Sequence, residues 1–372
     1  MIPIFKPSVG IEEIEAISEV LKSGWIGLGP KTKEFENKFA DYVGAKYAVA
    51  VNSGTSALDL ALRILKISPL GSNVITTPLT FVSTSHIILF NGLFPNFVDI
   101  EEDILNIDPN KIENNITPNT KAIIPVHYGG HPCDMDKILK IADENNLIII
   151  EDAAHACGAS YTNQKIGSIG DMTCFSFHAI KNLTTGDGGM ITTDNKEYYE
   201  KLLKMRWLGV DKDTFQRNKK EYSWRYDVTM LGRKMHMNDI NASIGLVQLQ
   251  KLDKMNQKRK KIAEYYNNAF KNLSWLTRPV IREYVQSSYL YYVIRINERD
   301  RDEFIKYLLQ KGISSGVHYL PLYLHSYYKK LRLKRNCPIT DKVWKELVTL
   351  PLYPDMTAEE LIHITESVKN FK

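Results

Sequence analysis

The sequence predicts an α/β protein: a large domain built on a mostly parallel sheet with helices on both faces, then a smaller C-terminal α+β domain. Two observations carry that prediction. Over the first two-thirds of the chain, short apolar β-rich runs alternate with helix-like stretches, the signature of βαβ units. Beyond one long helical stretch this alternation gives way to a different mixture.

The elements follow in order. Ala48–Val51 reads AVAV, a strand of the kind found in a buried parallel sheet. Ser56–Leu65 spaces its apolar residues as a helix does. Asn73–Thr77 and Pro95–Ile100 (PNFVDI) are the second and third strands. Ala122–Val126 and Leu147–Glu151 are further strands with helix-like Ile138–Asn146 between them, and Met172–Phe177 is another. From Ile240 to Lys271 the pattern is one long helix or two, with Leu246, Leu249 and Leu252 on an apolar face. Tyr289–Ile296 (YLYYVIRI) is then a strand, and Arg301–Gly312 and Ala358–Asn370 are amphipathic helices. The boundary falls near residue 250, giving a large domain with an N-terminal arm over 1–250 and a small domain over 251–372.

Composition narrows the class. A chain of 372 residues fits two domains of about 100–200 residues each. With 44% hydrophobic and 24% charged residues it buries a large core. Its 48 Lys and Arg against 43 Asp and Glu leave +5, spread along the chain, which gives no warrant for a nucleic-acid or membrane partner. The four cysteines (Cys133, Cys157, Cys174, Cys337) form no C-x-x-C pair, which excludes a disulfide scaffold and a zinc knuckle and fits a reducing compartment. The start MIPIFKPSVG lacks a basic-then-apolar leader. No apolar run reaches the roughly 18 residues of a membrane span. The expectation is a cytoplasmic protein.

Three stretches carry chemistry. In NLIIIEDAAHACGA, a buried strand delivers Glu151 and Asp152 at its carboxyl end, where open α/β sheets bind ligands. Alone, Asp152 reads as a helix cap and His155 as a packed core histidine. In DMTCFSFHAIKNLTTGDGGM, Lys181 follows a buried strand and precedes a glycine-rich turn. A desolvated lysine loses charge and becomes an amine nucleophile, although a surface lysine in a loop fits the same words. In AVAVNSGTSALDLAL, a strand runs into Ser53-Gly54-Thr55-Ser56 and a helix, whose free N–H groups form an anion cradle or a simple cap. No Gly-Lys-Ser/Thr follows, so it is not a P-loop.

Together the three match one cofactor, pyridoxal phosphate. Lysine holds the aldehyde as a Schiff base, aspartate keeps the pyridinium nitrogen protonated, and the helix start holds the phosphate. Asp152 precedes Lys181 by 29 residues, room for a connection and one neighbouring strand.

The chain resembles the DegT/DnrJ/EryC1/StrS aminotransferases over nearly its whole length. The resemblance rests on SGWI, NSGTSAL, TTPLTFVST, PNFVDIE, PVHYGGHPCDMD, EDAAHA, SFHAIKNLTTGDGG, MNDINASIGLVQL, GVHYLPLY and TLPLYPDMT. It implies the seven-stranded, mostly parallel sheet of the type I pyridoxal-phosphate transferase fold. It further implies that Lys181 forms the internal aldimine and shuttles the proton, and that Asp152 pairs with the ring nitrogen. By the same resemblance His155 and Phe81 cover the two ring faces, and Thr55, the Gly54–Thr55 backbone and Ser176 hold the phosphate. His318 and Tyr319 wall the substrate entrance. The implied reaction passes the amine of L-glutamate to a ketone on a nucleotide-linked sugar, of the 4-keto class by the wording around Lys181. The active sites are implied to be shared in a homodimer, without metal.

One segment departs from the family wording L-G-Y-N-Y-R-M: here it is Leu231-Gly232-Arg233-Lys234-Met235-His236-Met237. Lys234 stands where an asparagine reaches the partner's cofactor phosphate, and a lysine meets a phosphate as a point charge. His236 stands for the usual arginine, on the substrate side. This leaves open an acceptor that is a small phosphorylated ketone or a free keto-sugar. A non-catalytic cofactor-binding relative is opposed by the intact Asp152, Ser176 and Lys181. A nicotinamide dehydrogenase is opposed by the lack of a G-x-G-x-x-G after an early strand.

Other features have plain readings. Lys258-Arg259-Lys260-Lys261 is a solvated helix face. His318–Lys330 is core and interface packing or substrate stacking. Cys157 and Cys174 are small packed residues. His127 and His131 have metal-ligand spacing, yet the resemblance puts them in a loop near the cofactor.

Overall fold

The computed structural model describes residues 1–212, 224–297, 300–333 and 335–371. Its centre is a seven-stranded sheet. In chain order the strands are β1 (Tyr47–Val51), β2 (Asn73–Thr76), β3 (Phe94–Phe97), β4 (Thr120–Ile124) and β5 (Ile148–Asp152). A short hairpin follows, β6 (Ser160–Tyr161) and β7 (Gln164–Lys165), then β8 (Met172–Ser176) and β9 (Gly189–Thr193). The spatial order is β1-β9-β8-β5-β4-β2-β3. The pairs from β8 across to β3 are parallel, whereas β9 runs antiparallel to both its neighbours.

Every strand read from the sequence in this domain is present, with ends moved by one to three residues. Strand β9 was not read: GMITT follows the glycine-rich turn directly, with no helix pattern between it and β8. It pairs back along β8, the intervening loop 177–188 containing no helix to carry a parallel crossover.

Helices cover both faces: α1 (Ile11–Ser23), α2 (Pro30–Val43), α3 (Gly54–Arg63), α4 (Ser83–Phe90), α5 (Met135–Asn145), α6 (Lys196–Met205) and the first half of α7 (Asp239–Ala269). Successive strand residues feed opposite cores, as the two-residue period requires. Ala50, Ile149 and Phe175 pack with α2, α5 and α7, whereas Val49, Ile150 and Cys174 pack with α3, α4 and α6.

Ile240–Lys271 resolves as a single helix, α7, that joins two cores. Leu246 and Leu252 belong to the sheet core, and Ile262, Ala263 and Tyr266 to a second one. That second core surrounds a sheet of β10 (Leu276–Thr277), β12 (Tyr292–Ile296) and β13 (Leu347–Leu350), while β11 (Val285–Gln286) extends the β6–β7 hairpin. Helices α8 (Arg301–Gln310) and α11 (Ala358–Lys369) cover it; the short α9 (Ser326–Leu331) and α10 (Pro338–Val343) lie between. The lysines of the basic run are exposed, but Arg259 is not part of a solvated face. It is buried and donates to the Leu352 carbonyl at 3.0 Å. All four cysteines are buried thiols.

Strand β1 is a sheet edge, and its free side is closed by side chains. The Ala50 N–H donates to Glu36 Oε1 (3.0 Å), and Arg206 donates to the Ala50 carbonyl (2.7 Å) while pairing with Glu36. Both charged residues are buried. Arg206→Ala leaves the buried Glu36 carboxylate with only the half-exposed Lys33 at 3.6 Å and the Ala50 N–H, so we expect a loss of about 3 kcal/mol, measured as a lower urea midpoint.

Candidate active site

A cavity of about 300 Å³ opens at the carboxyl ends of the parallel strands. Its walls contain Gly54, Thr55, Phe81, Asp152, His155, Ser176, Lys181, His318 and Tyr319, so the structure gathers nine of the eleven sequence-predicted residues.

Strand β1 ends at the cavity floor and turns into α3. Ser53 caps that helix, its Oγ accepting the Ser56 N–H at 3.1 Å. The first N–H groups of a helix have no partner within it, and here they face the cavity. Gly54 is required by close approach: a Cβ there would lie 2.7 Å from Ser176 Cβ. The helix start therefore rests directly on the end of β8, which makes a cradle of backbone N–H groups beside two hydroxyls. Thr55 Oγ1 lies 2.8 Å from Ser83 Oγ.

Asp152 ends β5 and is 4% exposed. Thr84 Oγ1 donates to its Oδ2 (2.7 Å) and the Ala154 N–H to its Oδ1 (3.1 Å). Burial raises its pKa; those two hydrogen bonds and the charge of Lys181 pull it back. Lys181 stands in the loop after β8, its N–H donating to the His178 carbonyl at 2.9 Å. Burial lowers its pKa to about 8, against the opposing attraction of Asp152.

The Gly129 N–H donates to His155 Nδ1 (3.4 Å), which leaves the ring proton on Nε2. That nitrogen lies 3.3 Å from the hydroxyls of both Tyr291 and Tyr319, themselves 2.7 Å apart. Burial holds the His155 pKa well below its usual value, so the ring is neutral. The His155 and Tyr319 rings are nearly parallel, and Phe81 is 55% exposed at the cavity wall, 6.2 Å from the Tyr319 ring. His318 Nδ1 bonds Thr349 Oγ1 (2.8 Å), and burial lowers its pKa to about 4.

Lys234 and His236 lie outside their own chain's cavity. The exposed Lys234 Nζ sits 4.1 Å from the Trp207 ring centroid, and His236 meets the same ring edge-on. Their segment crosses the end of β1, where the Asn52 N–H donates to the Met235 carbonyl (2.8 Å), and Arg233 pairs with Asp59 of α3 (3.1 Å). His127 is not disposed as a metal ligand: Nδ1 accepts the Cys133 N–H (3.0 Å) and Nε2 donates to Glu151 (2.9 Å).

Sequence reasoning missed Thr84 and Tyr291. Thr84 is one of several hydroxyls in TFVSTS, and no spacing rule selects the one beneath Asp152. Tyr291 was hidden in YLYYVIRI, where it reads as strand core.

An anion cradle, a buried carboxylate and a lysine of lowered pKa converge on one cavity. The donor set fits the phosphate, ring nitrogen and aldehyde of pyridoxal phosphate, and this fold with this cavity is that of a pyridoxal-phosphate enzyme. The chain belongs to the DegT/DnrJ/EryC1/StrS aminotransferase family, which matches residues 7–369. It is 46% identical over 374 residues to the uncharacterised MJ1066 of Methanocaldococcus jannaschii, covering 99% of this chain and 97% of that one. It is 43% identical over 376 residues to the spore coat polysaccharide biosynthesis protein SpsC of Bacillus subtilis, covering 99% and 96%. Among solved structures, Spr1654 of Streptococcus pneumoniae, assigned as a sugar aminotransferase, matches with a TM-score of 0.92 at 34% identity in its PLP form, over 100% of both chains. Its PMP form gives 0.94 at 35%, covering 99% and 98%. The protein is a PLP-dependent aminotransferase.

The lowered pKa makes a direct prediction. In the cofactor-free enzyme, acylation of Lys181 by an amine reagent should rise with pH to a plateau, with its midpoint at about 8 rather than at the ordinary lysine value of 10.5. Peptide mapping by mass spectrometry across pH checks it.

Proposed function

We propose that the enzyme moves the amine of L-glutamate to the keto group of a nucleotide-linked 4-keto-6-deoxy sugar, in the cytoplasm, for a surface polysaccharide or glycan. The observation that carries the chemistry is Lys181, its pKa lowered to about 8, in one cavity with the buried Asp152. The sugar acceptor is supported by the relatives: SpsC is a polysaccharide biosynthesis protein and Spr1654 is assigned as a sugar aminotransferase. Among the described residues no helix is long and apolar enough to cross a membrane.

Each residue then has a task. When bound, pyridoxal phosphate supplies an aldehyde that condenses with amines and a ring that delocalises an electron pair. Lys181 Nζ would hold the cofactor's aldehyde and, once freed by the substrate amine, would carry the proton at the same atom. Asp152, oriented by Thr84 and Ala154, pairs with the ring nitrogen. Neutral His155 and apolar Phe81 flank the ring. Gly54, Thr55 and Ser176 hold the phosphate, and His318 and Tyr319 border the substrate. We place the two-domain division near residue 250, on α7.

Apart from Lys181, which the cofactor would take up, the cavity has no fixed countercharge for such substrates among the described residues. No arginine lines it among the described residues, and His155 and His318 are held neutral by burial. Glutamate and a nucleotide diphosphate both bring negative charge. We therefore assign further positive charge to a second copy in a homodimer with shared sites, Lys234 meeting the partner's cofactor phosphate. Light scattering at micromolar concentration should give twice 42.6 kDa, and a fully active monomer overturns the assignment.

The acceptor is tested by spectroscopy. The purified enzyme is converted to its pyridoxamine form with L-glutamate, freed of excess donor, and offered candidate ketones singly. Recovery of the original absorbance with a keto-sugar nucleotide supports the proposal. Recovery only with a small phosphorylated ketone or a free keto-sugar replaces the acceptor, and no response to glutamate replaces the donor. Lys181→Ala should abolish turnover while leaving the protein folded.

A further inference from the structure

We infer that Asn182, the residue after Lys181, is a positioning residue that fixes the lysine loop against both chain segments leading into the second core. The inference rests on the assignment of Lys181 as the reacting amine.

Asn182 is 2% exposed and outside the cavity wall. Its Nδ2 donates twice, to Asn256 Oδ1 (2.7 Å) and to the Ser288 carbonyl (2.8 Å). Neither acceptor can change roles. Ser288 offers a main-chain oxygen, and Asn256 spends its own Nδ2 on the Cys157 carbonyl at 3.0 Å, so its Oδ1 must face Asn182. Flipping the Asn182 amide would set oxygen against two oxygens. The side chain therefore has one orientation.

Both partners lie on connections between the cores. Asn256 is midway along α7, between Leu252 of the sheet core and Ile262 of the second. Ser288 comes four residues before β12 begins. Ser288 also ties the site from the other side: its Oγ donates to the His155 carbonyl (2.8 Å) and its N–H to the Gly130 carbonyl (3.1 Å). The lysine loop, the His155 loop, the turn before it and both connections thus meet at one buried point.

Two further observations set this apart from ordinary packing. Gly158 has φ +86°, and a Cβ there would lie 2.4 Å from Asn256 Nδ2, so the loop leaves room for the asparagine to reach in. Asn182 Oδ1 is buried with no hydrogen-bond partner among the described residues. An orphaned acceptor costs stability, so what this side chain contributes lies in its two directed N–H groups. Through them the position of Lys181 Nζ relative to Asp152 and His155 follows the placement of α7 and residue 288.

The test uses holoenzyme and two readouts that do not require the natural substrates. The first is the pH titration of the cofactor's absorbance band, and the second is the rate at which hydroxylamine displaces Lys181 from the cofactor as the oxime. Asn182→Ala should retain cofactor, shift the titration midpoint by roughly 0.5 pH unit or more, and change the displacement rate by roughly tenfold. Asn256→Ala should move both in the same direction by less. Asn182→Leu, which fills the space without donors, should not restore either. A midpoint and rate matching the parent in Asn182→Ala, or in Asn256→Ala should the former not fold, overturn the inference. If Lys181→Ala still turns over, the assignment of Lys181 itself fails, an outcome distinct from a silent Asn182→Ala beside an inactive Lys181→Ala.

Discussion

Burying a carboxylate costs several kcal/mol unless neighbouring groups replace the water it loses. Asp152 is 4% exposed, and much of the site answers that cost. Thr84 of α4 and the Ala154 N–H supply hydrogen bonds, and Lys181 supplies opposite charge. The parallel sheet brings these groups together, because β5 and β8 end side by side and the loops beyond them face one cavity. The same enclosure that strains Asp152 lowers the lysine pKa. Burial raises the Asp152 pKa, and the Thr84 and Ala154 hydrogen bonds, then the Lys181 charge, oppose that rise, while the amine is reactive because its own charge is disfavoured there.

The cradle for the phosphate depends on a different constraint, the edge of the sheet. An edge strand has unpaired N–H and carbonyl groups and bends easily. Glu36 and Arg206 occupy both groups of Ala50, and the segment around Met235 continues the closure at Asn52. Three residues beyond Ala50 lies the cap of α3. A helix start pressed onto Ser176 with no room for a Cβ tolerates little movement of β1. The departure from family wording at 233–236 belongs to this edge: Arg233 reaches Asp59 on α3, and Lys234 and His236 share Trp207.

The sequence exposed those parts of the architecture whose signal is local. Strands such as Leu147–Ile150 announce themselves by composition, and Asp152 and Lys181 by their places at strand ends. Strand β9 escaped because antiparallel return through a glycine-rich loop carries no helical marker. Thr84 and Tyr291 escaped for another reason: their roles arise from contacts to Asp152 and His155 across 68 and 136 residues of chain. Arg259 was misjudged because a basic run gives no sign of which member turns inward on a helix joining two cores.

Adjacent carboxylates on β5 show how the two-residue period divides structural work from chemical work. Glu151 and Asp152 necessarily face opposite sides of the sheet. Glu151 receives the Gly170 N–H at 2.8 Å, Thr173 Oγ1 at 2.7 Å and His127 Nε2 at 2.9 Å, all from protein. Those donors tie β4, β5 and β8 together beneath the site. Asp152 receives two protein hydrogen bonds, and a carboxylate has about four lone-pair sites. It therefore keeps acceptor capacity where it borders the cavity, which a protonated ring nitrogen can use. The first carboxylate has three of its roughly four acceptor sites filled by protein and is structural. The second is left partly unsatisfied at the one place where a ligand can complete it.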